Sequence, residues 1–128
     1  MKLMSFDEAQ RYLDSVADDL PDEVFKDLNG GIVLLPDMVL SEDRLADDLY
    51  ILGRYHFEPY GLGRFISIYY GSFTKICAGS GVEKQQKTLS NVLRHELTHH
   101  IESMAGVRDL ELRDEMELAQ YRKRHKEK

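Results

Sequence analysis

The sequence predicts a small α+β fold, because short apolar strand segments stand between stretches with helical periodicity. Its 128 residues are 42% hydrophobic, which is enough apolar material for one core and fits a single domain over residues 1–128. Within this domain we expect an N-terminal helix at about 5–20, a core at about 28–120 and a basic C-terminal tail at 122–128.

The first helix is predicted from its start signal and its periodicity. Ser5 followed by Glu8 is the capping-box pattern that marks a helix N-terminus. Apolar residues then recur at helical spacing and define one buried stripe, formed by Phe6, Ala9, Leu13, Val16 and Leu20. Pro21 should end this helix and open a short helix at 22–28.

Three later segments have the composition of strands. The apolar run 32–35 follows a Gly-Gly turn and stops at Pro36, which fits a buried strand, whereas 37–49 looks irregular. A strand is expected at 50–57, and 64–70 is the strongest strand prediction because it is rich in β-branched and aromatic residues. The last two segments can pair as a hairpin through a Gly-containing connection.

Two helices are predicted in the second half of the chain. Residues 82–105 have the pattern of one long helix, and Gly106 supplies its C-terminal stop. A last helix follows at about 110–124, while 71–81 receives no assignment.

Charge and composition exclude several classes of protein. With 17 basic and 23 acidic residues the net charge is −6, which argues against nucleic acid as a partner; we interpret the basic tail as a solvated helix end. The longest uncharged stretch, 65–74, is too short to span a membrane, and charges among the first 20 residues argue against a secretory signal. The single cysteine, Cys77, is expected to be a small buried hydrophobe. We therefore expect a cytoplasmic protein with no membrane partner.

The motif that carries chemistry is HExxH, formed by His95, Glu96 and His99 inside the long helix. At about 100° per residue, His99 lies only about 40° round the helix from His95 and one turn along it, so both imidazoles project to one side. Two such imidazoles can hold one Zn²⁺ ion. Glu96 lies about 100° from His95, where it can act as the general base on a zinc-activated water.

A helical wheel places this motif beside the buried face of the helix. The apolar arc consists of Leu89, Val92, Leu93, Leu97, Ile101 and Met104. His95 and His99 fall on the flank of this arc, where a cleft can open. His100 falls in its middle, so we interpret His100 as a hydrogen-bonded core histidine and not as a ligand.

The residues around the motif resemble those of a known family. The run LRHELTHH at 93–100 with the following residues to 106, and the upstream segments 61–66 and 68–72, resemble the small zincin-like metallopeptidases of bacteria. These are compact single domains commonly labelled possible zinc metallopeptidases, and the likeness covers roughly 28–120. The resemblance implies a minimal zincin with a small sheet beside the HExxH helix, one zinc ion, and a peptide or protein substrate. It also implies that substrate would add as a strand to 64–70 if that segment is an edge strand.

The third metal ligand stays open at this point. Gly106 can let the chain reverse so that Asp109 approaches the metal from outside the helix, and we place Asp109 first. The acids at 111–117 come second; Asp114 or Glu115 would supply a carboxylate from a following helix. Glu102 lies near His99 but two turns above His95, which makes it a poor ligand.

Other polar residues receive weaker functional hypotheses. One of Tyr69 and Tyr70 must face away from the core of its strand, where it can contact an oxyanion or substrate, although packing is the favoured role. His56 is interpreted as a surface or packing histidine.

These observations predict a zinc-dependent metallopeptidase that hydrolyses peptide bonds. The alternatives are a non-catalytic metal-binding or interaction module with a zincin fold, and a helix whose histidines bind no metal.

Overall fold

The computed structural model describes the backbone of residues 2–41 and 49–126, and the side chains of 2–41 and 49–107. The helices in this part of the chain are α1 (Phe6–Asp18), a short 3-10 helix (Asp22–Phe25), α2 (Tyr70–Ile76) and α3 (Val82–Lys126). The strands are β1 (Gly31–Leu35), β2 (Val39–Leu40), β3 (Tyr50–Ile51), β4 (Gly53–Glu58) and β5 (Gly63–Tyr69). The predicted α+β class is confirmed.

The strands form two small sheets. In the larger sheet the order is β1-β5-β4, with β1 parallel and β4 antiparallel to β5. Strands β2 and β3 pair antiparallel in a separate ribbon. The predicted strand at 50–57 is therefore two strands, because the chain passes from the ribbon to the larger sheet at Leu52, whose carbonyl accepts a hydrogen bond from Tyr69 at 2.8 Å.

Strand β5 lies in the centre of the larger sheet, so 64–70 is not an edge strand. A substrate therefore cannot add to it as a further strand, which the resemblance implied for an edge position. Every residue from Arg64 to Tyr69 is buried, which is typical of a strand covered on both faces. Strand β4 occupies the edge instead. The hairpin of β4 and β5 is confirmed, with Phe57 paired to Arg64 and Gly53 to Ile68.

The core lies between α1, the larger sheet and α3. It includes Ala9, Leu13 and Val16 from the predicted stripe of α1, and Ile66 and Ile68 from β5. The apolar arc of α3 contributes Leu89, Val92, Leu93 and Leu97, and Cys77 is fully buried, as predicted.

The start of α1 is confirmed in detail. The Ser5 hydroxyl accepts a hydrogen bond from the Glu8 backbone N–H, and the Glu8 carboxylate accepts one from the Ser5 N–H, both at 3.1 Å. These bonds satisfy two N–H groups that the helix leaves without internal partners. The pKa of the Glu8 carboxyl is lowered, mainly because the Ser5 backbone N–H donates a hydrogen bond to the carboxylate. A hydrogen bond with the Ser5 side chain lowers it further.

The helix α3 differs most from the sequence prediction. It runs without a break from Val82 to Lys126, so Gly106 is not a C-terminal stop and 110–124 is not a separate helix. Gly106 does not adopt the positive φ of a helix-terminating glycine. A glycine inside a helix costs only about 1 kcal/mol relative to alanine, which the flanking helix-forming residues can offset. The segment left unassigned at 71–81 contains most of α2.

Among the described helices, none combines the length and apolar content that crossing a membrane requires.

Candidate metal centre

His95 and His99 converge on the exposed side of α3. Their Nε2 atoms lie 3.1 Å apart, and the two rings are nearly perpendicular at 86°. Two nitrogens that bind one tetrahedral Zn²⁺ at about 2.0–2.1 Å lie about 3.3 Å from each other. The pair is therefore spaced for one shared ion without a change in the helix.

Glu96 lies on the inner side of this pair, between α3 and the sheet. Only 7% of the residue is exposed, yet no side chain among the described residues forms a hydrogen bond or ion pair with its carboxylate. Together with His99, Glu96 lines an open cleft of about 620 Å³. A carboxylate that opens onto such a cleft, with no partner among the described residues, is available to accept a proton there.

The opposite wall of the cleft is β4, the edge strand of the larger sheet. Gly53, Arg54 and Tyr55 of β4 line this wall together with Ile51 at the end of β3, and Ser103 closes the cleft on the side of α3. Gly53 permits the close approach of strand and helix, because a Cβ at this position would lie 2.9 Å from Val92 Cγ2 and 3.5 Å from Glu96 Cγ. The glycine therefore leaves the space that the Val92 side chain occupies, while Glu96 lies at ordinary contact distance.

His100 is a core histidine, as predicted, and it fixes α3 against two other parts of the fold. It is 1% exposed, and its Nε2–H donates to the Lys26 carbonyl at 2.7 Å. Since a carbonyl only accepts, Nδ1 is the acceptor in the neutral ring, and the Tyr55 hydroxyl donates to it at 2.8 Å. The two bonds connect α3 to β4 and to the residue after the 3-10 helix.

Arg64 continues this network beneath the cleft. Its Nη1 donates to the Tyr55 hydroxyl at 3.0 Å and also to the Ser103 hydroxyl, and its guanidinium carbon lies 4.1 Å from the centre of the Phe57 ring. Arg64 is 9% exposed, and no carboxylate among the described residues pairs with it. The buried positive charge of Arg64 is therefore hydrogen-bonded to two hydroxyls of cleft-lining residues, Tyr55 and Ser103.

Gly53, Tyr55, Arg64 and Ser103 were not predicted as site residues. For Arg64 a signal was available, because strand alternation places it on the same face as Ile66 and Ile68, and a charged residue on a buried face requires partners. No comparable signal exists for Tyr55 and Ser103, which meet Arg64 only through the fold.

Tyr69 and Tyr70 are not brought to the cleft. The Tyr69 hydroxyl bonds Ser67 at 3.0 Å on the other face of β5, and the Tyr70 hydroxyl donates to the Met4 carbonyl at 2.6 Å near α1. His56 stacks on the Phe65 ring at 4.3 Å, which agrees with a packing role.

A third ligand is not found among the described side chains. In that part of the chain, no three His, Cys, Asp or Glu residues are grouped to hold a metal ion. The reversal at Gly106 that was to bring Asp109 back to the histidines does not occur, since α3 continues through both residues. The side chains of Asp109, Asp114 and Glu115 lie outside the described residues. Glu102 Oε2 lies 4.0 Å from His99 Nδ1, on the ring nitrogen that faces away from His95.

The chain was compared with known proteins. No protein-family model and no curated protein matches it. A solved structure, that of a conserved hypothetical protein from Thermo thermophilus, is similar with a TM-score of 0.67 and 24% sequence identity. The similarity covers 80% of this chain and 98% of that chain, so the two proteins share a fold.

Proposed function

We propose that this protein is a zinc-dependent metallopeptidase with a minimal zincin fold. The observation that carries the proposal is the 3.1 Å separation of the His95 and His99 Nε2 atoms beside the Glu96 carboxylate, which has no partner among the described residues. An HExxH hydrolase requires two imidazoles as metal ligands and an adjacent carboxylate as general base.

The residues present fit part of a zinc site and leave one position to be filled. His95 and His99 would hold the ion, and catalytic zinc sites usually have three protein ligands. Asp109, which we placed first for the third ligand, lies ten residues beyond His99 in the unbroken α3, about 15 Å along the helix, and Asp114 and Glu115 lie farther still, so none of the three reaches an ion held by this pair. When bound, zinc supplies Lewis-acid activation of water and of a carbonyl group.

Glu96 performs the proton transfers in this proposal. Its carboxylate accepts a proton from the attacking water and returns that proton to the nitrogen of the leaving amine. Burial between α3 and β4 keeps the carboxylate at one position relative to His99. Positioning of this kind is what makes a general base effective.

The outer edge of β4 is the proposed binding surface for an extended peptide. Its inner edge is paired with β5, while the described residues place no strand on the other side. A substrate that adds as a further strand would hydrogen-bond the backbone of β4 and pass Glu96 and His99, which face the same cleft.

Zinc binding and cleavage are tested together with matched variants. We expect one zinc ion per wild-type chain by elemental analysis, and loss of zinc in His95→Ala and His99→Ala but not in the control His56→Ala. We expect Glu96→Gln to retain zinc while its cleavage of a quenched-fluorescence peptide library falls by about 10²-fold or more. The control Glu83→Gln, in the first turn of α3, should keep wild-type activity.

Each result has a defined meaning. Wild-type protein that binds no zinc after incubation with the metal would refute the proposal. Equal cleavage by wild type and Glu96→Gln would remove Glu96 from the mechanism.

A second candidate function is a metal-binding or interaction module that hydrolyses nothing. It is favoured by the lack of a third ligand among the described side chains and by the unbroken path of α3 past Gly106. Tight zinc binding by His95 and His99 with no cleavage of any peptide would select this candidate.

A further inference from the structure

The hydroxyl of Ser103 contacts the sheet and not the backbone of its own helix. Thr88 and Thr98 of α3 donate their hydroxyl hydrogens to the carbonyl four residues before them, at 2.8 and 2.9 Å, which is a common arrangement inside a helix. The Ser103 hydroxyl instead accepts a hydrogen bond from Arg64 Nη1 of β5. A guanidinium only donates, so the hydroxyl hydrogen of Ser103 is left for another partner, and it has none among the described residues.

Ser103 is half-buried and lines the cleft, where a ligand can accept this hydrogen. The other hydroxyl of the lining belongs to Tyr55, which gives its one hydrogen to His100 Nδ1. The Arg54 side chain lies on the opposite face of β4, because strand alternation separates it from Gly53 and Tyr55. Among the described residues of the lining, Ser103 therefore has the hydroxyl hydrogen that is free for a ligand.

Arg64 fixes the Ser103 oxygen and makes the hydroxyl a stronger donor. Its Nη1 donates to the hydroxyls of Tyr55 and Ser103, and in the described part of the chain the guanidinium pairs with no acid. A hydroxyl that accepts a hydrogen bond from a cation is polarised, so its own hydrogen binds an acceptor more strongly. Burial of Arg64 reduces the screening of this charge by water.

The position of Ser103 on α3 sets its distance from the histidine pair. It lies one turn beyond His99, about 6 Å along the helix and about 40° round it. Gly53 lies beside Glu96 and Tyr55 bonds His100, so β4 and α3 run in the same direction along the cleft. An extended peptide on the edge of β4 advances about 3.3 Å per residue and would pass Ser103 about two residues from the group held at His99.

We propose that Ser103 is a substrate-binding residue, positioned by Arg64, that donates a hydrogen bond to a backbone carbonyl of an extended peptide about two residues from the scissile bond. A backbone carbonyl is the acceptor that every residue of a peptide carries, so this contact fixes the register of the substrate and not its side-chain sequence. The inference rests on the proposed peptidase function and adds a residue that holds the substrate.

Binding is tested by NMR titration of the full chain, incubated with zinc, with N-acetyl-pentaalanine amide, whose polar groups are all in the backbone. Every protein carries Glu96→Gln so that the peptide stays intact. We expect Ser103→Ala to weaken binding by about fivefold to tenfold, because one hydrogen bond is lost, and Ser103→Thr to stay within about twofold. The matched control is Ser90→Ala, which should change the affinity by less than about twofold. Ser90 of α3 also accepts a hydrogen bond from an arginine, Arg94, but is not among the residues that line the cleft.

Ester analogues of the peptide separate a direct contact from a structural effect. Each analogue replaces one peptide bond by an ester, whose carbonyl is a weaker acceptor. At least one analogue should bind about threefold or more weakly than the parent peptide when Ser103 is present, and this loss should disappear in Ser103→Ala. Arg64→Met should weaken binding when Ser103 is present and change it by less than about twofold in the Ser103→Ala background, since Arg64 acts through Ser103. Thermal unfolding of each variant verifies that it is folded.

The outcomes distinguish this inference from the proposed function. Peptide binding that depends on Ser103, without cleavage of any peptide by the wild-type chain, would support the inference and count against the peptidase. Cleavage with the same kcat/KM by wild type and Ser103→Ala would support the peptidase and overturn the inference. The inference would also be overturned by no binding of the alanine peptide, by an equal loss of affinity in Ser90→Ala and Ser103→Ala, or by ester analogues that do not distinguish serine from alanine at position 103. An equal effect of Arg64→Met in both backgrounds would overturn the role of Arg64.

Discussion

Replacement of Gly53 by alanine adds one methyl group where β4 lies against α3. The new Cβ would lie 2.9 Å from Val92 Cγ2 and 3.0 Å from the Ser67 carbonyl oxygen, both closer than ordinary contact distances. Because Val92 belongs to α3 and Ser67 O to the backbone of β5, β4 must shift away from both. Overpacking of this kind costs about 1–3 kcal/mol.

The expected loss is measurable in both stability and activity. For a chain of this size, we expect the melting temperature of Gly53→Ala to fall by roughly 3–12 °C. The Glu96 Cγ would lie in ordinary contact with the added methyl at 3.5 Å, but the shift that relieves the contact with Val92 changes the position of β4 relative to α3, and hence to the Glu96 carboxylate. If the peptidase proposal holds, the rate of peptide hydrolysis should fall by about tenfold or more while zinc remains bound.

Gly106→Ala is the matched control, because the chemical change is the same in an open position. A Cβ at Gly106 has no neighbour within 4 Å among the described residues, and Gly106 lies within α3 without a positive φ. Alanine should therefore stabilise the protein by about 0.5–1 kcal/mol through its higher helix propensity. If α3 ended at Gly106 in the left-handed conformation, the same substitution would destabilise the protein. Unchanged stability in Gly53→Ala, or a loss in Gly106→Ala, would refute this reasoning about the two glycines.

Two further predictions concern the polar network and the first helix. His100→Leu removes the donor to the Lys26 carbonyl and the acceptor of the Tyr55 hydroxyl, which keeps only its bond from Arg64, and should cost about 2–4 kcal/mol in urea unfolding. In a double-mutant cycle with Tyr55→Phe, a coupling energy near zero would contradict the bond between the two side chains. Glu8→Ala should destabilise the protein mainly above pH 4.5, the ordinary pKa of this carboxyl. Its pKa is lowered in the folded state, so the contribution of Glu8 is lost as the pH falls through that lower value. A difference in unfolding free energy between wild type and Glu8→Ala that is as large at pH 3 as at pH 6 would contradict this explanation.

Local signals in the sequence predicted those parts of the fold that depend on neighbouring residues. The capping box at Ser5 and Glu8 is decided within four residues, and the structure contains both of its hydrogen bonds. The convergence of His95 and His99 follows from helical geometry alone once the segment is a helix. The burial of His100 followed from its angle on the same wheel.

Features that depend on the order of strands or on distant partners were not predictable in this way. Composition identified β5 as a strand, but only its pairing with both β1 and β4 makes it central and leaves β4 at the edge. Glycine often ends a helix, yet α3 continues through Gly106, because a glycine inside a helix costs only about 1 kcal/mol relative to alanine. The contact of Tyr55 with His100 joins residues 45 positions apart, so no local pattern contains it.

The same contacts that hold α3 against the sheet also define the cleft. Tyr55 donates to His100 within the fold and lines the cleft, and Arg64 bonds two lining hydroxyls while it packs on Phe57. A buried cation that pairs with no acid in the described part of the chain is an expensive means of stabilising a fold, because an apolar side chain of similar volume would avoid the cost of desolvation. The position of Arg64 is easier to understand if its charge acts on what enters the cleft. On this argument, stability and ligand recognition depend on one network, and variants of Arg64 should change both.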